Sequence, residues 1–271
     1  MGMIDSPYLV EPGARFRIDR IKADDTGPFR DKPQAKRAMA RNAEKMAGLQ
    51  QRLYAQAQYA LLVVLQGMDT SGKDGTIKRV FNGINPQGCS VVSFKVPSRE
   101  ELAHDYLWRI HMHTPPRGMI DIFNRSHYES VLVERVHELV PEKIWRHRYD
   151  QINAFERLLA EEGTTILKLF LHISKDEQKK RLEARLRDPQ RNWKFDPNDL
   201  KERALWNEYQ AAYEDALRKC STEYAPWYII PADHKWFRNW LVSDLIVRTL
   251  ESLKLRYPPP VAQLDRIHVE P

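Results

Sequence analysis

The sequence predicts an α/β fold with a mostly parallel five-stranded sheet flanked by helices, and three observations carry that expectation. Five short apolar runs, Leu61–Leu65, Val91–Phe94, Ile120–Phe123, Ile166–Ile173 and Trp227–Ile230, have the length and composition of strands. Amphipathic stretches of helical period separate them, the alternation expected of βαβ units. The chain has 271 residues, 42% hydrophobic and 30% charged, enough to enclose a real core.

In chain order, residues 1–31 contain Pro7, Pro12 and Pro28 without a sustained period and read as a surface arm with room for one short strand. From Pro33 to about Tyr59 the residues favour helix, and Pro33 sits near the first turn, where its missing N–H does no harm. Ser98-Arg99-Glu100-Glu101 and Ser174-Lys175-Asp176-Glu177 each place a hydroxyl three residues before a Glu, a capping box, and Asp196-Pro197 offers an N-cap followed by proline. Helices are therefore expected from near 99, 142, 175 and 197. Along 197–219, Trp206, Tyr209, Tyr213 and Leu217 share one face, read as core packing rather than a base-stacking platform. Tyr257-Pro258-Pro259-Pro260 opens an extended tail. With no repeat, low-complexity tract or linker, residues 1–271 are expected to form one domain: arm 1–31, core 32–255 and tail 256–271.

No apolar run approaches the roughly 20 residues of a membrane helix; the longest is Ala60–Leu65, and Met1-Gly2-Met3-Ile4-Asp5 lacks a basic-then-apolar signal. A cytoplasmic chain without a membrane partner is expected. Two cysteines, Cys89 and Cys220, support neither a disulfide framework nor a cysteine-built zinc site. Lys plus Arg number 43 against 37 Asp plus Glu, and the excess concentrates in 179–194, with seven basic residues against two acidic ones. That concentration points to a polyanionic partner, the alternative being a solvated helix face.

The strongest local signal is Gly67-Met68-Asp69-Thr70-Ser71-Gly72-Lys73-Asp74-Gly75, directly after a strand and opening a helix, which matches G-x-x-x-x-G-K. Gly67 and Gly72 permit backbone angles that aim N–H groups inward, the helix start adds partial positive charge, and Lys73 reaches phosphate oxygens. The expected phosphate-binding set is Gly67, Thr70, Ser71, Gly72, Lys73, Asp74 and Gly75, extended by Lys78 and Arg79 on the following helix. Asp74 stands where a Ser or Thr hydroxyl ordinarily ligates Mg²⁺, so the metal must be held otherwise. Asp69 is the natural replacement, because a carboxylate in an anion cradle repels phosphate unless a cation lies between them. Its alternative role is to accept loop N–H bonds.

A second polar motif ends the strand 120–123: Asn124-Arg125-Ser126-His127-Tyr128-Glu129. Ligands of open α/β sheets bind beyond the carboxyl ends of strands, which places Asn124, Arg125 and Glu129 opposite Lys73 as nucleotide-binding residues. Asparagine cannot take a proton, which suits an acceptor already anionic, such as the phosphate of AMP or ADP. Arg125 is assigned to spread charge from a transferring phosphoryl group, or alternatively to pair with Glu129 one turn on. The basic stretch, with Arg181, Arg185, Arg191 and Lys194 around the helix-breaking Asp188-Pro189, reads as a mobile lid over about 179–199. Asp121 within its strand receives no role, His127 reads as structural, and His111 and His113 point in different directions.

These blocks together resemble the family-2 polyphosphate kinases, P-loop enzymes that move phosphoryl groups between inorganic polyphosphate and nucleotides. The likeness rests on 67–75, on Phe123–Glu129, on the lid run from Arg181 to Lys194 continuing through Asp199, Trp206 and Tyr209, and on Ser221–Tyr228. Ser71 and Lys95 stand where members often carry small residues, and Asp121 where an apolar one is usual. The resemblance implies a P-loop kinase fold with a helical lid and Mg²⁺ as cofactor. It gives Asp69 and Lys73 to metal and phosphates, Asn124 and Arg125 to the acceptor, and Arg181 and Arg185 to phosphate. Asn124 resembles the variant that phosphorylates AMP, or both AMP and ADP, rather than ADP alone; the chain thus resembles the class III, dual-acceptor subgroup that carries AMP through ADP to ATP, and a homo-oligomer, dimer or tetramer, is implied. Two other readings compete: an ATP-dependent kinase of a nucleoside monophosphate or other small substrate, and a non-catalytic protein that binds nucleic acid or another polyanion through 179–194. A kinase would bind no specific nucleic acid.

Overall fold

The apolar run that precedes the glycine-rich loop becomes the centre of the sheet. In the computed structural model, which describes residues 3–190, 192–260 and 262, the elements follow as β1 (Leu9–Val10), α1 (Lys32–Gln56), β2 (Ala60–Gln66), α2 (Lys73–Val80) and β3 (Cys89–Ser93). Next come α3 (Trp108–His111), β4 (Ile120–Asn124), α4 (Val133–Val136), α5 (Glu142–Glu161), β5 (Thr164–His172) and α6 (Lys175–Arg187). The last are α7 (Asn198–Ala204), α8 (Trp206–Cys220), β6 (Trp227–Pro231) and α9 (Lys235–Ser252). Among the described residues no helix is long and apolar enough to cross a membrane.

The strands lie in the order β1-β6-β5-β2-β4-β3, all parallel except β1, which pairs antiparallel with β6 through Leu9↔Tyr228 and Val10↔Trp227. The sheet thus has six strands rather than five; the sixth is the arm's strand, and two residues are too short to show a period. Every residue of β2 is buried, as a central parallel strand requires. From β2 the chain crosses to β3, beyond β4 on one side, and from β4 it crosses back to β5 on the other side of β2, which makes the carboxyl end of β2 the switch point where a crevice opens. The helices α1, α2 and α9 pack as one group, α4, α5 and α8 as another.

Three helix expectations need correction or refinement. Ser98 and Glu101 do form the reciprocal capping box, Ser98 N donating to Glu101 Oε2 at 2.6 Å and Glu101 N to Ser98 Oγ at 3.2 Å. Only the single turn Glu101–Ala103 follows, because the Asp105 carboxylate captures the Leu107 N–H at 2.9 Å and starts a new turn. The helix from 197 breaks at Leu205, separating α7, which lines the cleft, from α8, whose Trp206, Tyr209, Tyr213 and Leu217 are buried. Ser174 caps α6 through the Glu177 N–H, but Glu177 turns its carboxylate to Arg181 instead of closing the box.

The run read as wholly apolar in β5 contains Lys168, fully buried. Its ammonium donates to Glu156 Oε2 at 2.5 Å, Tyr128 Oη at 2.7 Å and the Cys220 carbonyl at 2.6 Å. Glu156 also accepts from Tyr128 Oη at 2.9 Å and meets His127 Nε2 at 3.1 Å. This network ties β5 and α5 to the turn after β4.

Candidate active site

The loop between β2 and α2 curls through three left-handed residues, Gly67 (φ 150°), Thr70 (φ 63°) and Gly72 (φ 101°). Thr70 carries the side chain that such a conformation disfavours, a local strain of the kind found at ligand-binding turns. Lys73 folds back and donates from Nζ to the Gly67 carbonyl at 2.7 Å. Burial pushes its ammonium down to about 8; Arg125 adds to the fall, while Asp69, Glu129 and Asp74 oppose it.

Across the crevice the β4 end supplies the facing groups. Register pairs Leu65 of β2 with Asn124, and the Arg125 N–H donates to the Leu65 carbonyl at 3.0 Å, which turns the chain out of the sheet with Arg125 at φ 62°. Ser126 Oγ then accepts from the Tyr128 N–H at 3.2 Å and from Gln66 Nε2 at 3.1 Å, pinning the turn to β2. Asn124 Nδ2 donates to Asp74 Oδ1 at 2.7 Å. Arg125 bridges two carboxylates, Asp69 at 2.8 Å and Glu129 at 3.2 Å, and these anions, Glu129 foremost, hold its guanidinium above its ordinary value.

These groups line one cleft of about 1510 Å³, roomier than the roughly 300–1,000 Å³ of a common small-molecule site. Its walls include Arg185 and Asp199, paired at 3.0 Å, and also Arg109 and Arg148. A hard cation suits this donor set. Asp69 presents carboxylate oxygen at the cleft, and Mg²⁺ characteristically takes one or two carboxylates, completing its shell with water and substrate phosphates. Among the described residues no cluster of three or more His, Cys, Asp or Glu could hold a metal without such help.

Comparison with known proteins decides the family. The family model for polyphosphate kinase 2 (PPK2) matches residues 30–258. A Meiothermus ruber protein named AMP/ADP-polyphosphate phosphotransferase is 54% identical over 264 residues, covering 97% of this chain and 99% of that protein. A Rhodopseudomonas palustris ADP-polyphosphate phosphotransferase is 49% identical over 227 residues, covering 79% and 78%. The crystal structure of polyphosphate kinase 2 from Arthrobacter aurescens TC1 superposes with a TM-score of 0.91 at 39% identity, covering 97% of each chain. The chain belongs to the polyphosphate kinase 2 family. The P-loop kinase fold expected from the loop motif is the fold of this family member.

Placed against the expected set, Gly67, Asp69, Thr70, Gly72, Lys73, Asp74, Asn124, Arg125, Glu129 and Arg185 line the cleft, whereas Ser71 and Gly75 do not. Ser71 is buried in the loop, its hydroxyl without a hydrogen-bond partner among the described residues. Lys78, Arg79 and Lys194 are exposed on the outer surface, and Lys194 lies over the exposed Trp193 ring. Arg191 lies outside the described residues. Arg181 corrects the lid assignment: it is buried, and its Nε, Nη1 and Nη2 donate to Glu177 and to the carbonyls of Thr70, Ser71, Ala232 and Asp233. Its donors are spent on protein oxygens, so it braces the back of the loop. Arg125 makes the Glu129 pair weighed from sequence and a second pair with Asp69 that spacing could not show.

Sequence reading missed Lys168, Glu156 and Arg238. A signal existed for Glu156, which lies four residues after Ile152 and three before Leu159 on the buried face of α5. His127 is structural, bonded to Glu156. Asp121 sits near the amino end of β4, away from the cleft, and burial pushes its carboxyl up to about 6.

Proposed function

We propose that this protein is a Mg²⁺-dependent polyphosphate:nucleotide phosphotransferase that moves the terminal phosphoryl group of inorganic polyphosphate onto AMP and ADP, giving ADP and ATP reversibly. The observation that carries the reading is the meeting of Asp69, Lys73, Asp74, Asn124 and Arg125 in one cleft of a polyphosphate kinase 2 chain. The Meiothermus relative, named for both acceptors and matched over almost its full length, supports dual acceptor use.

In this reading an acceptor phosphate oxygen bonds the terminal phosphorus while the bridging P–O bond breaks, and its electron pair leaves on the shortened polymer. Such a loose transfer asks for positioning and charge stabilisation more than for covalent help. Lys73 exchanges the Gly67 carbonyl for phosphate oxygens, assisted by the loop N–H groups. Asp69 would hold Mg²⁺, which would supply charge that neutralises phosphate. Asn124 and Glu129 orient the acceptor, and Arg125 spreads the charge of the moving group. The nucleophile is already an anion and needs no base, and the carboxylates at the centre each accept from a donor that favours their ionised form, Asp69 and Glu129 from Arg125, Asp74 from Asn124 and Asp199 from Arg185. Lys78, Arg79, Arg191 and Lys194 carry the polymer beyond the cleft, and Arg185 approaches it from the lid. A cytoplasmic homo-oligomer, dimer or tetramer, without specific nucleic-acid or membrane partners, completes the proposal.

The test is nucleotide chromatography after mixing protein, long-chain polyphosphate, Mg²⁺ and AMP without ATP, beside a Lys73→Ala control. ADP followed by ATP is expected only with the active protein. ATP from ADP alone removes AMP as an acceptor, and phosphorylation of AMP that requires ATP as donor replaces the proposal with an ordinary kinase.

A further inference from the structure

At Gly72, besides the positive φ, the loop comes close to a second group. A Cβ built there falls 1.9 Å from Nη1 of Arg238, and one on Gly75 falls 3.6 Å from Nη2. Arg238, in the first turn of α9, therefore presses its guanidinium against the outer side of the phosphate loop. It is 2% exposed and donates from Nη1 to the Ser71 carbonyl at 2.8 Å, and from Nε and Nη2 to Asn239 Oδ1 at 3.1 and 2.9 Å.

The anomaly is electrostatic. Among the described residues no carboxylate pairs with Arg238, and the charged group that faces it is another cation, Arg181, which reaches the same Ser71 carbonyl at 3.1 Å. Arg181 has its own counter-ion, Glu177 at 2.8 Å; Arg238 has none among the described residues. Its position in the first turn of a helix adds the unfavourable end of the helix dipole. Burial, and then Arg181, depress it to about 9. A buried charge is costly unless compensated, and here neutral oxygens of Ser71 and Asn239 accept its hydrogen bonds while no described carboxylate balances the charge.

We infer that Arg238 is a positioning residue whose buried charge is balanced by the phosphate chain bound on the opposite side of the loop. The inference rests on the reading that this loop takes phosphate. Arg238 touches no substrate; it acts through the Ser71–Gly72 backbone and raises the potential of the cradle from behind, where water screens it least. The anion-free protein carries the cost of that charge, and binding relieves it.

Two substitutions separate charge from hydrogen bonding: R238Q keeps an N–H for the Ser71 carbonyl and loses the charge, while R238K keeps the charge and loses the fork. Titration calorimetry with inorganic tripolyphosphate is expected to show roughly tenfold weaker binding for R238Q, and binding within about threefold of wild type for R238K, as expected for a long-range charge. Without ligand, R238Q should melt at or above the wild-type temperature, and its gain on adding tripolyphosphate should be smaller. Unaltered binding by R238Q, or equal losses of ligand-free melting temperature and affinity in both variants, leaves only a clamp and overturns the role. If R238Q does not fold, R238K decides alone, since an affinity as low as that of Lys73→Ala contradicts the inference. Absence of tripolyphosphate binding by wild type overturns the phosphate reading and this inference with it.

Discussion

Replacing Lys168 by methionine should produce the largest stability loss of any single change outside the loop. The side chain is nearly isosteric, so packing in β5 is preserved and the effect isolates the charge. The structure supplies the terms. Lys168 and Glu156 are both fully buried, and breaking such a pair by removing one member typically costs about 3–5 kcal/mol, because the remaining charge is stranded. The Cys220 carbonyl loses its donor as well, which adds about 1 kcal/mol. The total of roughly 4–6 kcal/mol corresponds to a fall in Tm of about 7–11 °C for a chain of this size.

The assay is urea unfolding followed by tryptophan fluorescence at pH 7 and at pH 5, with Lys168→Met/Glu156→Leu as companion. In wild type, burial acts to raise the Glu156 carboxyl, and Lys168 and His127 overcome it and hold the group below its usual value. Without Lys168 the carboxyl moves above its unfolded value. Stability tied to a raised carboxyl is present below the unfolded value, near 4.3, and is lost as pH rises. The deficit of Lys168→Met should therefore shrink at pH 5 relative to pH 7, and the double variant should recover much of it. A deficit under 1 kcal/mol, or one that grows on acidification, refutes the stranded-charge argument. Because Tyr128 and His127 lie on the same turn as Asn124 and Arg125, kcat should fall even where the variant remains folded.

Three further outcomes are expected. Gly72→Ala forces a left-handed alanine and displaces Arg238, so the loop should lose about 1–3 kcal/mol of local stability and nearly all phosphoryl transfer, read by thermal melting beside activity. Asn124→Asp sets a carboxylate against Asp74 at hydrogen-bond distance, and kcat/KM for AMP should drop at least about tenfold at pH 7.5 and recover partly near pH 5, as one of the two carboxylates protonates. For the free enzyme, Lys73 loses its charge as pH rises through about 8, so kcat/KM for polyphosphate should decline with an apparent pKa near that value, and Lys73→Arg should remove the inflection.

What could be read from sequence was what local chemistry dictates. The strand before the loop, the glycine spacing and the polar residues after Phe123 are contiguous signals, and the structure brings both segments to one cleft. Failures came where a contact between distant elements decides the outcome. The box at Ser98 formed as its residues dictate, yet no helix grew from it because Asp105 offered the backbone a competing acceptor. Lys168 vanished into an apolar strand pattern. Its partner Glu156 stood on the buried face of α5, and two opposite charges at core positions are the signal that would have exposed the pair.

Charge runs proved the least transparent feature, because a count of cations says nothing about which oxygens they meet. Arg181 and Arg185 lie one turn apart on α6, yet the first exhausts its donors behind the loop while the second faces Asp199 in the cleft. Arg238, more than forty residues past the basic stretch in sequence, reaches the same loop carbonyl as Arg181. The cations of this chain therefore divide by dielectric rather than by sequence. Lys78, Arg79 and Lys194 are exposed, so any pull they exert on the polyanion of the proposed function passes through water and fades within a Debye length of about 8 Å at physiological salt. Lys73, Arg181 and Arg238 lie within the protein, where salt screens them far less; in the proposed function Lys73 is the one that meets phosphate, while Arg181 and Arg238 hold the loop carbonyls behind it.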